Sequence, residues 1–138
     1  MTHRVRRVLE TALYFDDLPR AAGFYGDLLG GAVLTEDARL VALDMGSGTV
    51  LLLFKRGATV HEVRIPGGTI PAHDGAGPIH VAFAIDAEEL SLWESRLAGA
   101  AVAIEHRVQW PRGGTSLYFR DFEGHSLELA TPGVWETY

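Results

Sequence analysis

Cysteine is absent from the 138 residues. That excludes disulfides, thiolate nucleophiles, zinc–thiolate sites and iron–sulfur clusters. Positive charge is scarce: 12 Lys and Arg stand against 18 Asp and Glu, a formal net charge of −6. Non-specific binding to nucleic acid or to an anionic membrane surface is therefore not expected. No run of roughly 20 apolar residues is present to span a bilayer. The basic start MTHRVRR lacks the apolar stretch of a signal peptide. A cytoplasmic location is the expectation. Hydrophobic residues make up 47% of the chain and charged residues 22%, which is enough apolar material for a packed core and too little charge for disorder. The length fits one domain over residues 1–138, or two half-domains sharing a core.

Residues 8–15 (VLETALYF) read as a buried strand. Asp16 and Asp17 then offer a helix N-cap. Leu18, Ala21, Ala22, Tyr25, Leu28 and Leu29 follow at helical spacing until Gly30-Gly31 stops the helix. Strands are expected near 32–35, 39–44 and 49–54, the last two joined by a Gly46-Ser47-Gly48 turn. Residues 57–77, rich in glycine and proline, read as a linker loop. The order then repeats. A strand at 79–85 (IHVAFAI) precedes a helix at 86–97 with Leu90, Trp93 and Leu97 on one stripe. Strands follow near 102–106, 115–120 and 125–130. LLGGAV at 28–33 lies on LAGAAV at 97–102, His80 falls on Glu10, Gly124 on Gly48 and Glu128 on Leu52. The pattern predicts an α+β fold of two tandem βαβββ modules, about 7–56 and 78–131, with a C-terminal tail at 132–138. The modules form a curved mixed sheet around a cavity.

Side chains alternate between the two faces of a strand. Leu9, Thr11, Leu13 and Phe15 oppose Glu10, Ala12 and Tyr14. Ile79, Val81, Phe83 and Ile85 oppose His80, Ala82 and Ala84. Leu127 and Leu129 oppose Ser126, Glu128 and Ala130. The bulky apolar face of each strand must pack on the helix. The other face carries small residues plus Glu10, His80 and Glu128, which predicts a hollow lined by two carboxylates and an imidazole. A buried carboxylate is costly unless it is paired or bound to metal. Imidazole nitrogen and carboxylate oxygen suit a divalent ion such as Zn, Ni, Mn or Fe. Three protein ligands leave positions open for substrate.

Three segments, LYFDDLPRAAGFYGDLLG, GPIHVAFAI and YFRDFEGHSLEL, carry a resemblance over residues 8–131. The chain resembles the vicinal oxygen chelate superfamily, also called the glyoxalase/bleomycin resistance/dioxygenase superfamily. The resemblance implies metal ligands at Glu10, His80 and Glu128. A fourth ligand, as in glyoxalase I, would fall on Leu52, so that pattern is broken. Sites in the family are often completed by modules of different subunits, which implies a homodimer.

The ligand set points to a metal that chelates two neighbouring oxygens of a small-molecule substrate and stabilises negative charge on oxygen. Glu10 or Glu128 is the candidate general base. An isomerase, epimerase or lyase is the expected class. The alternatives are a metal-free, antibiotic-sequestering protein of the bleomycin resistance type, an extradiol dioxygenase, and a fosfomycin-type thiol transferase. The dioxygenase is disfavoured by one His with two carboxylates, and the thiol transferase by the lack of a first-strand His and of a potassium-binding loop. On the substrate side, Tyr14 shares the Glu10 face, and Ser116, Tyr118 and Arg120 share the concave face of their strand. Trp110 and Arg112 lie on a loop leading into it, and His73 reaches in from the linker. Arg112 or Arg120 would hold an anionic group bidentately. His3, His61, His106 and His125 read as surface or turn residues.

Overall fold

The first strand, expected over residues 8–15 as a buried strand, begins at Glu10 and leaves Val8 and Leu9 exposed. In the computed structural model, which describes residues 2–138, β1 (Glu10–Phe15) is followed by α1 (Leu18–Gly23) and a π-helical turn (Phe24–Leu28). β2 (Ala32–Glu36), β3 (Leu40–Asp44) and β4 (Val50–Lys55) complete the set. The strands form one sheet in the order β1-β4-β3-β2, with β1 and β4 parallel. Leu13, Phe15, Val41, Leu43, Leu51 and Leu53 bury one face. From α1, Leu18 and Ala21 are buried, and the Tyr25 ring meets Phe15 edge-on at 5.8 Å. Asp17 caps α1 by accepting the Arg20 N–H at 3.1 Å.

Three further features of this unit differ from expectation. The helix expected through Leu29 keeps α geometry only to Gly23 and then widens into the π-turn. Gly23 and Gly26 hold the α form weakly, and the turn closes with Gly31 N–H on the Tyr25 carbonyl at 3.0 Å. In β2 the register slips between Val33 and Thr35, so Val33 and Leu34 are both exposed on an edge strand. The 57–77 segment is also not all loop. β5 (Val63–Ile65) and β6 (Gly68–Ile70) form a hairpin around Pro66-Gly67, a turn signal between two short apolar runs.

The chain divides after Ala76 into two compact units. The second contains β7 (His80–Ala84), a 3-10 turn (Ala87–Glu89), α2 (Leu90–Gly99), β8 (His106–Gln109), β9 (Thr115–Arg120) and β10 (Ser126–Ala130). Its sheet order, β7-β10-β9-β8, copies that of the first, so each unit is a βαβββ module. The registers match residue by residue. Leu52 lies opposite Ala12 and Glu10 opposite Val50. Glu128 lies opposite Ala82 and His80 opposite Ser126. Leu117, Phe119, Leu127 and Leu129 bury one face.

β8 forms four residues later than its apolar content suggests. The helix end runs on, with Ala100 N–H on the Arg96 carbonyl, Val102 N–H on that of Leu97 and Ala101 in the left-handed region. Val102 and Ile104 are half-buried without strand pairing. The Trp110–Gly114 turn pairs His106–Gln109 with β9. The tail returns to its own unit: Tyr138 donates to the Ile85 carbonyl at 3.1 Å. No described helix is long and apolar enough to cross a membrane.

Candidate functional site

In the second unit, cross-strand pairing puts His80, Ser116, Tyr118, Ser126 and Glu128 on one face of the sheet. His80 and Glu128 meet. The imidazole Nε2 lies 3.2 Å from Glu128 Oε1, with the Glu128 side chain 8% exposed and that of His80 49% exposed. The site therefore opens on the imidazole side and is closed behind the carboxylate.

The other ring nitrogen decides what that contact means. His80 Nδ1 lies 2.8 Å from the Ser126 carbonyl oxygen. A carbonyl only accepts, so Nδ1 carries a hydrogen, and Nε2 faces a carboxylate oxygen that also only accepts. Two acceptors at that separation repel unless a proton or a cation lies between them. An imidazole whose far N–H is held by a backbone carbonyl is the arrangement of a metal-ligating histidine. The donor set thus fits a divalent ion. Among the described residues, no group of three or more His, Asp or Glu side chains able to hold a metal ion is gathered. His80 and Glu128 are two of the three expected donors. Glu10 stands exposed at the start of β1 in the first unit.

Behind the carboxylate, Ser116 Oγ donates to Glu128 Oε2 at 2.5 Å and accepts from Trp110 Nε1 at 2.9 Å. Ser116 is fully buried. Tyr118 stacks on His80 at 6.3 Å. Burial first, then the Glu128 charge, hold its phenol above the ordinary value, so it stays protonated. Tyr118 and Ser126 also line a concavity of about 270 Å³ with Glu105, His106 and Val108.

Other expected site residues go elsewhere. Arg120 spends its guanidinium on Glu105, at 2.9 and 3.3 Å, and on the Gly124 carbonyl at 3.1 Å. Arg112 is exposed on the Trp110–Gly114 turn. His73 belongs to the first unit, where Tyr14 Oη lies 2.7 Å from its Nδ1 and its ring meets Phe54 edge-on at 4.8 Å. Thr59 fixes the His73 backbone from both sides, accepting its N–H at 2.9 Å and donating to its carbonyl at 2.5 Å. Burial and the charge of Asp74 raise the Tyr14 phenol above its ordinary value.

His125 is a correction. Read as a surface or turn residue, it is buried with Asp121 at 1% and 0% side-chain exposure, with Nδ1 2.8 Å from Asp121 Oδ2. Asp121 Oδ1 also accepts the backbone N–H groups of Glu123 and His125, both at 3.0 Å. The signal was present in Asp121-Phe-Glu-Gly124-His, because an Asp that begins a turn accepts amides two to four residues on. Gly124, at φ +90°, supplies the left-handed residue such a turn needs.

A family model described as Glyoxalase/Bleomycin resistance protein/Dioxygenase superfamily matches residues 7–129. Metallothiol transferase FosB of Staphylococcus epidermidis is 32% identical over 116 residues, covering 83% of this chain and 74% of that protein. The crystal structure of lactoylglutathione lyase from Agrobacterium tumefaciens superposes with a TM-score of 0.86 at 32% identity, covering 97% of this chain and 99% of that one. The fosfomycin resistance protein FosX from Listeria monocytogenes, at 19% identity and a TM-score of 0.67 over 97% of each chain, shares the fold.

Proposed function

We propose that this chain, which belongs to the glyoxalase/bleomycin resistance protein/dioxygenase superfamily, is a divalent-metal-dependent enzyme acting on a small molecule with two neighbouring oxygens. The observation that carries this reading is the His80–Glu128 contact, in which an imidazole held through Nδ1 by the Ser126 carbonyl turns Nε2 toward a carboxylate oxygen. His80 and Glu128 are two metal donors, and Glu10 is the third by its equivalence to His80 in the repeat. When bound, the ion supplies Lewis acidity that stabilises negative charge on a substrate oxygen. Glu10, the exposed carboxylate, is the donor that would detach to act as general base. Tyr118, stacked beside His80 with its hydroxyl bonded to Glu128, borders the donor pair.

The names of the relatives narrow the chemistry. One is a metallothiol transferase and one a lactoylglutathione lyase, and both names involve a thiol or its adduct. This chain has no cysteine, so any thiol in its reaction is a substrate. We therefore assign a lyase-type or transferase-type step in which a small thiol adds to, or leaves, the oxygen-bearing substrate. A second reading, a metal-free protein that sequesters a cationic compound, draws support from a cleft of about 700 Å³ in the first unit. Asp16, Asp17, Glu36 and Asp37 outnumber the single cation, Lys55, around that cleft, above Leu18 and Val41, and Asp16 is paired with Arg56.

Metal titration separates the two. Protein stripped with chelator and titrated with Mn²⁺, Ni²⁺, Zn²⁺ or Fe²⁺ should bind one ion per chain with a rise in Tm. His80→Ala and Glu128→Ala should lose that rise. A wild-type protein that takes up none of these ions refutes the enzyme reading and leaves the sequestering one.

A further inference from the structure

The hydrogen bonds behind Glu128 run in one direction only. The Trp110 indole N–H can donate and cannot accept, and it points at Ser116 Oγ, 2.9 Å away. Ser116 has a single hydroxyl hydrogen. Its oxygen already receives the indole, and its further neighbours are a carboxylate oxygen at 2.5 Å, which only accepts, and the Tyr118 hydroxyl, which brings a hydrogen of its own and also bonds to Glu128. The short contact places the Ser116 hydrogen on Glu128 Oε2. The two carboxylate oxygens are left with separate duties: Oε2 faces back into the buried donor chain, and Oε1 faces His80 Nε2.

Ser116 is fully buried, so its hydrogen is committed and is not offered to a ligand. Trp110 lies on the turn that sets the β8–β9 register, with its own backbone N–H on the Gly114 carbonyl at 2.8 Å. The indole is thus held by the same turn that sets β8 beside β9. We infer that Trp110 and Ser116 are positioning residues: a donor relay that fixes Glu128 so that a single oxygen, Oε1, meets the metal. This inference rests on the metal reading above and adds to it the denticity of one ligand and the two residues that set it. It reassigns Trp110 and Ser116, expected at the sequence level to touch substrate, to the support of a ligand. It also divides the labour of the two carboxylates, since a glutamate held from behind is a fixed ligand and the proton-accepting role falls to Glu10.

The test measures metal, not turnover. Zn²⁺ affinity is determined by competition with a chromophoric chelator for the wild type, Ser116→Ala and Trp110→Phe. The infrared carboxylate stretches of the Zn²⁺-loaded proteins are compared in the same samples. Loss of an outer partner of a metal ligand costs about 10–100-fold in affinity, and that loss is expected for Ser116→Ala, with a smaller one for Trp110→Phe. The infrared spectrum should shift from a one-oxygen toward a two-oxygen carboxylate pattern in Ser116→Ala, which a general loosening of the fold would not produce. If Ser116→Ala does not fold by near-UV circular dichroism, Trp110→Phe carries the test, because it keeps an aromatic ring at that place while removing the indole N–H. Zn²⁺ binding by the wild type, with affinity and carboxylate bands unchanged in the folded variants, overturns the relay and leaves the metal site standing. No Zn²⁺ binding by the wild type overturns the metal reading and the relay with it.

Discussion

Replacing Asp121 by alanine should be among the most damaging single changes in the second unit, and the structure allows its size to be worked out. The carboxylate is buried with His125, 2.8 Å from its Nδ1, and its other oxygen accepts two backbone N–H groups at 3.0 Å. Hydrogen bonds to a charged group contribute about 1.5–3 kcal/mol each. Three taken singly overstate the loss, because they share one carboxylate and are not additive. Breaking a buried pair from one side costs about 3–5 kcal/mol, and that is the figure expected for Asp121→Ala. Native domains hold about 5–15 kcal/mol in all. With a urea dependence of about 1–3 kcal/mol per molar, the unfolding midpoint should fall by about 2 M. Asp121→Asn separates the two contributions. Its amide oxygen still accepts the two turn N–H groups, and only the charged contact to His125 is lost, so a cost of about 1–3 kcal/mol is expected. Urea unfolding followed by circular dichroism reads both variants. A loss under about 1 kcal/mol for Asp121→Ala would refute the buried-pair argument. Equal losses in the two variants would show that the turn amides contribute nothing.

Two further outcomes follow from the geometry. A Cβ on Gly114 would overlap the Gly133 peptide, which is backbone and cannot swing aside. Gly114→Ala should therefore cost about 1–3 kcal/mol or more, visible as a lower Tm, and an unchanged Tm would contradict the close approach. Tyr14 is raised above its ordinary 10.0 by burial and then by the charge of Asp74. A folded-state value raised in this way favours the neutral phenol. Its contribution to stability is complete below the unfolded value, about 10, and is lost as the pH climbs through the folded one. In the phenolate absorbance difference between wild type and Tyr14→Phe, one tyrosine should titrate above that of the unfolded chain, and Asp74→Asn should bring it down. A difference curve that matches the unfolded chain would sink the assignment.

Much of this architecture is legible from residues alone, and the places where it is not share a cause. β9 forms over the residues expected because Leu117 and Phe119 alternate with Ser116 and Tyr118 and no competing period is present. β8 is displaced because Val102 and Ile104 look like strand residues, while pairing is decided by the Trp110–Gly114 turn. Apolar content marks what is buried; hydrogen-bond partners mark what is a strand. The hairpin at Val63–Ile65 and Gly68–Ile70 was hidden by the glycine and proline that make its turn, because composition over a long window averages a turn into its strands.

The candidate site divides along the same line. That Glu10, His80 and Glu128 occupy matched places follows from the repeat, and the registers reproduce it, with Leu52 opposite Ala12 as Glu128 is opposite Ala82. Alternation also puts Ser116 and Glu128 on one face. It cannot say that they touch, because they are diagonal neighbours: Ser116 pairs directly with Ala130, and Glu128 with Tyr118. A one-residue slip between β9 and β10 would turn Ser116 to the other face and leave Oε2 buried without its donor. That register is set at the β9–β10 connection, where Asp121 gathers the amides of Glu123 and His125 and Gly124 takes the left-handed turn. The buried aspartate missed by pattern and the glutamate singled out by it are thus parts of one arrangement. The turn fixes the register, the register brings Ser116 to Glu128, and Ser116 decides which carboxylate oxygen faces His80.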